Sequence, residues 1–400
     1  MATQSRKQVK AKKAKEDIYL VAIDVGFGFT KILSNHTKDV IHFESAILPG
    51  KPNNKATARK NSIDLNRLTV TTEEGTFFIG KHAITIPSGM EVRTKFRNRA
   101  NDTKSRNLFR AGIGLGVPDE DGEYQVKVIT GLPNSDYELS HHKELIDFLK
   151  QPFEVIYHLG GGNTITKKID VVDVEVHQQP LGTITYSQYQ FLFDGDAILG
   201  ETEQYADRIG VIDFGHLTTD YAIFTNGEFI DYGGIADSTM AVSEVYARLK
   251  AKAKAYFAEI GYEFNPRDSD LDEIIKNNGY YKFAQQEFNL SDQINEAVQE
   301  IIPNIAQVIA DSWKDEANRL DVILTTGGGS HVFSQALEEQ FQKMNIQGVK
   351  IAESPQFSNV IGFYMLGVMS SLELDLSNRD DIYEDYVQPV FGELGVDDAK

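Results

Sequence analysis

The sequence contains no cysteine in its 400 residues. Disulfides, thiolate nucleophiles and cysteine-ligated metals are therefore excluded. Nine histidines are present, but none falls in a metalloprotease-type spacing, and no structural zinc site is expected. No apolar run is long enough to span a bilayer. The lysine-rich start from Arg6 to Lys15 leads into a strand-like segment with no signal-peptide stretch, so a cytoplasmic protein without membrane association is expected. An excess of positive charge is missing too: 40 Lys and Arg against 59 Asp and Glu give a net charge of -19. A broad nucleic-acid face neutralises phosphates with clustered Lys and Arg, so any contact with DNA is expected to be indirect. Two catalytic signatures are also absent. Without G-x-x-x-x-G-K-[ST] there is no P-loop, and without G-x-S-x-G no α/β-hydrolase elbow.

The remaining composition, 41% hydrophobic and 25% charged, is that of a soluble globular protein with room for two cores. Charge is unevenly placed. The start of the chain is basic, and its end is acidic through Asp380, Asp381, Glu384, Asp385, Asp397 and Asp398. Both tails are expected to be solvated rather than docked.

Ile18 to Asp24 (IYLVAID) reads as a buried strand, followed by a turn through Gly26 and Gly28 and a returning strand from Thr30 to Leu33. From Asp39 to Glu123 the chain is polar and interrupted, with a basic, Asn-rich stretch from Arg93 to Arg110, and a smaller inserted subdomain is expected there. Val126 to Gly131 reads as a core strand and Ser135 to Lys150 as a helix. Val155 to His177 reads as paired strands turning at Gly160 to Gly162. The second half repeats the first in outline: Ile209 to Asp213 is a buried strand, Phe214 to Thr218 a glycine-containing turn, and Thr219 to Phe224 a returning strand. Ala241 to Ile260 and Asp292 to Asn318 have helical periodicity, with an irregular polar region between them. Leu320 to Thr326 is another buried strand, closed by Gly327, Gly328 and Gly329 and followed by a helix from Ser330 to Lys343. Ser358 to Leu372 reads as a last, largely buried helix.

Three segments carry chemistry. Asp24-Val25-Gly26-Phe27-Gly28-Phe29-Thr30-Lys31 places an acid at a strand end, before a turn whose glycines let backbone N–H groups converge on an anion. Taken alone it is equally a plain tight hairpin. Asp213-Phe214-Gly215-His216-Leu217-Thr218-Thr219-Asp220 repeats the same grammar, and the pair favours phosphate binding from two opposing loops. Asp24 and Asp213 would then hold a hydrated Mg²⁺, which keeps most of its waters. Gly327 to Gly329, between a strand and a helix, form a loop where backbone can approach a ligand. Gly160 to Gly162, by contrast, are explained as a hairpin turn.

In this order the segments resemble the actin, sugar-kinase and DnaK-type chaperone superfamily. Within it the resemblance is to the prokaryotic actin-like, ParM-like proteins of plasmid partition and to archaeal actin-like relatives. The family's first phosphate loop looks like D-x-G-x-G-x-T-K, its second like D-x-G-x-x-T-T-D, and its adenosine motif like a strand followed by G-G-G. Here these are DVGFGFTK, DFGHLTTD and ILTTGGGS. ITGLPNSDY from Ile129 to Tyr137 and the start of the late helix, Ser358-Asn359-Val360-Ile361-Gly362, are similar to further family blocks.

The resemblance implies an α/β actin-like ATPase fold: two duplicated ribonuclease-H-like domains with inserted subdomains around a nucleotide cleft. The corresponding organisation is a basic tail over 1–16, expected to be disordered; a first domain over 17–195 with an insertion at about 39–124; a second over 196–357 with an insertion at about 235–305; a returning helix over 358–372; and an acidic tail over 373–400. ATP, with GTP as the alternative base, and Mg²⁺ are implied. Gly26, Phe27, Gly28, Phe29, Thr30, Lys31, Gly215, His216, Leu217, Thr218 and Thr219 would hold the phosphates. Gly327, Gly328, Gly329 and Ser330 would line the adenosine side. Asp24 and Asp213 would bind the metal through water and, with Gln179 orienting the hydrolytic water, form the catalytic set. Lys31 lies on the returning strand, where a side chain can point away from the phosphates. His216 stands where many members have glycine. The implied function is a self-assembling cytoskeletal ATPase whose filament moves plasmid DNA through a DNA-binding adaptor. A small-molecule kinase of the same fold, or a non-hydrolysing structural module, is the alternative.

Overall fold

The computed structural model describes residues 18–52, 62–87, 90–94, 96–192, 199–226, 228–234, 241–374 and 379–392. The basic tail, part of the second expected insertion and the last eight residues of the acidic tail lie outside them.

The first half begins with β1 (Ile18–Val25), whose aliphatic run is buried from Leu20 onward. A strand buried on both faces suits the centre of a mixed sheet. It pairs antiparallel with β2 (Phe29–Ser34), which pairs with β3 (Ile41–Glu44). β4 (Ile47–Pro49), β5 (Thr69–Thr72), β6 (Gly75–Ile79), α1 (Lys81–Thr85) and α2 (Thr103–Leu115) follow. Then come β7 (Gly122–Leu132), α3 (Asn134–Glu138), α4 (His141–Leu149), β8 (Phe153–Gly160), β9 (Asn163–Gln178) and α5 (Gln179–Gln188). All nine strands form one sheet in the order β3-β2-β1-β7-β9-β8-β5-β6-β4.

A short ribbon, β10 (Tyr189–Phe191) with β11 (Leu199–Glu201), leads to the second half. There β12 (Arg208–Phe214), β13 (Thr219–Thr225) and β14 (Glu228–Gly234) are followed by α6 (Val242–Glu259) and α7 (Asp268–Lys276). A hairpin, β15 (Tyr280–Phe283) with β16 (Gln286–Asn289), precedes α8 (Ser291–Gln299) and α9 (Ile302–Trp313). β17 (Val322–Thr326), α10 (Ser330–Lys343), β18 (Val349–Ile351) and α11 (Ser358–Leu374) complete it. The second sheet runs β14-β13-β12-β17-β18. Its pattern of three antiparallel strands and then two parallel ones repeats β3-β2-β1-β7-β9, so the duplication expected from the paired hairpins is present.

Four departures from the expected elements have local causes. The polar stretch after Asp39 does not form a separate body, because β3 extends the first hairpin and β4 to β6 extend the far edge of the same sheet. Its basic helix α2 is buried because its charges are paired. Arg106 Nε donates to Glu74 at 2.6 Å, Arg110 pairs with Glu73, and Asn107 bonds Glu74 and Thr72. The expected helix from 135 to 150 breaks into α3 and α4 at Ser140, whose φ of 65° is left-handed. The expected helix from 292 to 318 breaks before Pro303, which sits in the first turn of α9. Finally, much of the acidic tail docks. α12 (Arg379–Ile382), a π turn (Tyr383–Val387) and α13 (Gln388–Phe391) bury Ile382 and Val387 against the first half. Tyr364 donates to the Tyr386 carbonyl at 2.6 Å, and the Tyr386 hydroxyl donates to Ile18 O at 2.9 Å.

Two helices lie between the sheets. α11 packs on the first sheet through Val360, Phe363, Tyr364 and Val368 against Leu20, Ala22 and Ile129. α5 presents Ile184 to Ile209, Val211, Ala222 and Leu324 of the second. The helices cross at Gly182 and Gly362: a Cβ on Gly362 would overlap the Gly182 carbonyl, and one on Gly182 would stand 2.5 Å from Asn359 O. Backbone meets backbone there, so neither side can yield as a side chain would. Gly362→Ala is therefore expected to destabilise the protein by about 3 kcal/mol, read as a lowered melting temperature. Gly328→Ala, with nothing within 4 Å of the added Cβ, is the matched control that leaves it unchanged.

Candidate functional site

The tips of the two repeated hairpins face one another across a cleft. Its cavity of about 140 Å³ is lined by 14 of the 18 residues expected at the site, namely Asp24, Gly26, Phe27, Gly28, Phe29, Lys31, Gln179, Asp213, Gly215, His216, Thr218 and Gly327 to Gly329. Thr30, Leu217, Thr219 and Ser330 are not in its wall. The Thr30 hydroxyl lies 2.9 Å from Ser45 Oγ beneath the loop. The Ser330 hydroxyl donates to Gly327 O at 2.8 Å and so braces the triple-glycine turn from behind.

Strand register explains the first hairpin. Asp24 is directly opposite Lys31, and cross-strand partners project from the same face. Lys31 thus points inward, its Nζ 2.8 Å from Asp24 Oδ2. The other carboxylate oxygen accepts from Gln179 Nε2 at 3.0 Å. Gln179 is the first residue of α5, at the point where β9 ends and its helix turns toward the second half.

The second hairpin has the same register with different chemistry. Asp213 is opposite Asp220, a second acid where the first hairpin has a lysine. Asp220 is buried, accepts from Thr218 Oγ1 at 3.0 Å, and among the described residues leaves Oδ1 without a partner. Burial and then the Asp213 charge push its carboxyl up to about 7. Asp213 accepts from Asn359 Nδ2 at 2.8 Å. Burial raises its carboxyl as well and the Asp24 charge adds to this, while the Lys31 ammonium and the Asn359 amide act in the opposite sense.

His216 fills the space facing Gly28, where an added Cβ would come within 3.1 Å of the His216 Cβ. Burial, with the nearby Arg93 charge, pushes its imidazole down to about 3, so the ring is neutral at physiological pH. It stands edge-on to Tyr246, whose hydroxyl donates to Asp272. Gly327 has φ +83°, and a side chain there would collide with the Asp213 carboxylate and the Phe214 carbonyl. Only glycine fits that position. Gly328 has nothing within 4 Å of where a Cβ would be.

Arg93, Arg99, Tyr246, Asp272, Lys276 and Gln356 also line the cleft and were missed by motif reading. Arg93 and Arg99 lie within or beside the basic stretch seen in sequence, but nothing there told that it folds over the first loop. Arg93 Nη1 donates to Gly28 O at 2.9 Å, holding the loop tip in place. A larger open depression of about 980 Å³ lies at the opposite end of the first sheet, lined by Tyr19, Glu73, Glu123, Glu154 and Asp170 among others. Of its carboxylates, Glu123 is answered locally by the Lys168 ammonium at 2.8 Å.

Duplicated sheets, each sending an acid and a glycine turn into a shared cleft bridged by crossing helices, make this an actin-type fold. The chain belongs to the actin-like proteins: residues 22–182 match the model of the actin-like proteins N-terminal domain, and residues 211–339 that of the archaeal actin homologue MreB-like C-terminal domain. Solved structures agree on the fold. Ta0583, an archaeal actin homologue, aligns with a TM-score of 0.66 and 18% identity over 86% of this chain and 98% of its own. A 15-stranded ParM filament from Clostridium botulinum gives 0.66 and 19% over 88% and 99%. Bacillus thuringiensis ParM with ATP gives 0.62 and 13% over 89% and 100%. No curated protein matches the sequence.

The Asp213–Asp220 pair has a measurable consequence. Asp220 holds its proton to about pH 7 in the fold, against an ordinary value of 3.8. The folded state therefore binds the extra proton between those limits, and this contribution to stability falls as pH rises through them. In the nucleotide-free protein, Asp220→Asn is expected to be more stable than the parent at pH 8, with the advantage shrinking toward pH 5. Unfolding curves across that range would show the reverse trend, or none, if the group ionises freely.

Proposed function

We propose that the cleft binds a nucleoside triphosphate, ATP or GTP, with Mg²⁺, hydrolyses it, and couples the cycle to head-to-tail self-assembly into an actin-like filament. Further, we propose that the filament segregates plasmid DNA in the cytoplasm through a DNA-binding adaptor at its end. The observation that carries this reading is the convergence of both glycine hairpins on one cleft, with Gln179 bonded to Asp24 and Asn359 to Asp213. Backbone N–H groups of the Gly26–Phe29 and Gly215–Thr218 turns, with the Lys31 ammonium, supply the phosphate contacts. Gly327 to Gly329 give the adenosine side a wall without side chains. Among the described residues no three His, Asp or Glu side chains converge as a metal cage. Two carboxylates fit a cation whose other ligands are water and phosphate oxygens, which is how Mg²⁺ is held in nucleotide sites. The metal would neutralise phosphate charge.

Gln179 suits the water-positioning role because an amide orients water without taking its proton, and its hydrogen bond to Asp24 fixes the direction of the side chain. The similar structures support nucleotide use and assembly: one is a ParM with ATP and another a ParM filament. Among the described residues no helix is long and apolar enough to cross a membrane.

Light scattering with pelleting, run with Mg²⁺ and ATP, GTP, ADP or no nucleotide alongside phosphate release, tests the proposal. Polymer that forms with a triphosphate and decays as phosphate is released is expected. Phosphate release without polymer would shift the function to a kinase-like member of the fold, and neither would leave a non-hydrolysing module. In the same assay Gln179→Ala is expected to lower kcat about 100-fold with KM nearly unchanged. A KM effect with kcat preserved would move Gln179 from chemistry to binding.

A further inference from the structure

Arg99 lies between α1 and α2, is 3% exposed, and among the described residues has no hydrogen-bond acceptor for Nε or Nη1. A buried guanidinium in this condition is costly, because its donors have lost water and gained nothing. Its neighbours are treated differently. Arg93 donates to Gly28 O at 2.9 Å, Arg97 pairs with Asp136 at 2.8 Å, and Arg106 pairs with Glu74 at 2.6 Å. Arg99 instead stacks on Phe27, its Cζ 3.9 Å from the ring centroid. Phe27 is the tip of the first glycine loop, between Gly26 and Gly28, and both Phe27 and Arg99 line the cleft. Asp136 and Asp24 act on its charge from nearby, yet neither supplies an acceptor for those two nitrogens.

The missing partner is therefore an anion that enters the cleft at the first loop. A planar guanidinium fork matches phosphate oxygens in pairs, and stacking on Phe27 removes the freedom that such a contact would otherwise cost. We propose that Arg99 engages the terminal phosphate of the bound nucleotide, supplied in cis by the segment preceding α2, and makes the site prefer triphosphate over diphosphate. This rests on the nucleotide reading above and adds to it a residue that the two loop motifs do not contain. The terminal phosphate would tie the 96–102 segment to the first loop, and that tie would be lost when phosphate leaves. Arg93, already committed to the loop backbone, is the positioning residue beside it.

The test uses the full chain with Arg99→Met, which keeps length and apolar bulk, and Arg99→Lys, which keeps charge. Affinities for ATP and ADP with Mg²⁺ are measured by competition against a fluorescent nucleotide, with phosphate release and nucleotide-free melting in parallel. Arg99→Met is expected to weaken ATP at least about tenfold and leave ADP nearly unchanged. It should also slow phosphate release about 100-fold and hold or raise the nucleotide-free melting temperature, since an uncompensated buried charge has been removed. Arg99→Lys recovers part of the ATP preference. Unchanged ATP and ADP affinities, or equal weakening of both with a lower melting temperature, would overturn the proposal while the nucleotide reading stands on the parent protein. If the parent binds neither nucleotide, that reading falls and this one with it.

Discussion

The crossing of α5 and α11 at Gly182 and Gly362 governs how the rest of the molecule is arranged, because the backbones approach closely enough there to exclude any side chain. α5 starts with Gln179 and α11 starts with Ser358 and Asn359, so the same crossing aims one amide at Asp24 and the other at Asp213. Hydroxyls reinforce it. Thr183 Oγ1 lies 2.7 Å from Asn359 Oδ1, 2.9 Å from Ser358 Oγ and 3.1 Å from Thr326 Oγ1, which joins both helices to the end of β17. A network this deeply buried is stabilising only while every member is satisfied. The position of each carboxylate is thus set by helix packing as much as by its own strand.

Against that common frame the two hairpins are electrostatically unequal. Asp24 faces a lysine in register and Asp213 faces another acid, so the first half presents a neutralised pair and the second a pair whose proton affinity is raised by burial. Opposite charges in close register stabilise an ionised carboxylate, whereas like charges displaced from water keep one of them protonated. Duplicated folding units have been filled with different chemistry at the same cross-strand position. An anion or a cation entering the cleft meets a different field on each side.

Much of this was legible in the sequence for a physical reason: strand, acid, glycine turn and return strand are local, and their register follows from turn length. Asp24 seven residues before Lys31, and Asp213 seven before Asp220, become cross-strand partners with no help from the rest of the chain. Gly327 was readable for a similar reason, since its left-handed φ answers to neighbours in its own turn and to the parallel strand beside it. What was not legible depends on distant pairing. α2 read only as part of a basic, Asn-rich stretch because Glu73 and Glu74, which neutralise it, lie about thirty residues earlier in a β-turn. The docked tail was hidden by its acidic composition, although Ile382, Tyr386 and Phe391 form the apolar stripe that seats it. Arg99 and Lys276 reach the cleft from segments with no motif of their own.

The closeness of the two loops has a mechanical implication. The His216 side chain packs against Gly28, and the Lys276 ammonium stands 5.8 Å from the Phe29 ring, so contacts span the cleft at its mouth as well as at its base. The enclosed volume of about 140 Å³ is well below the roughly 300 Å³ at which pockets for whole small molecules begin. A nucleotide bound as proposed must part the mouth contacts, while the glycine crossing, with no side chain to deform, stays as the pivot. Opening is then a rotation of one half against the other rather than a loosening of either core. In the proposed reading phosphate contacts would come from both halves, and base contacts chiefly from the triple glycine of one, so loss of the terminal phosphate would remove closing force without releasing the remainder of the ligand. The angle between the halves would then be the quantity that distinguishes triphosphate from diphosphate, open to sensing by any surface that spans both halves.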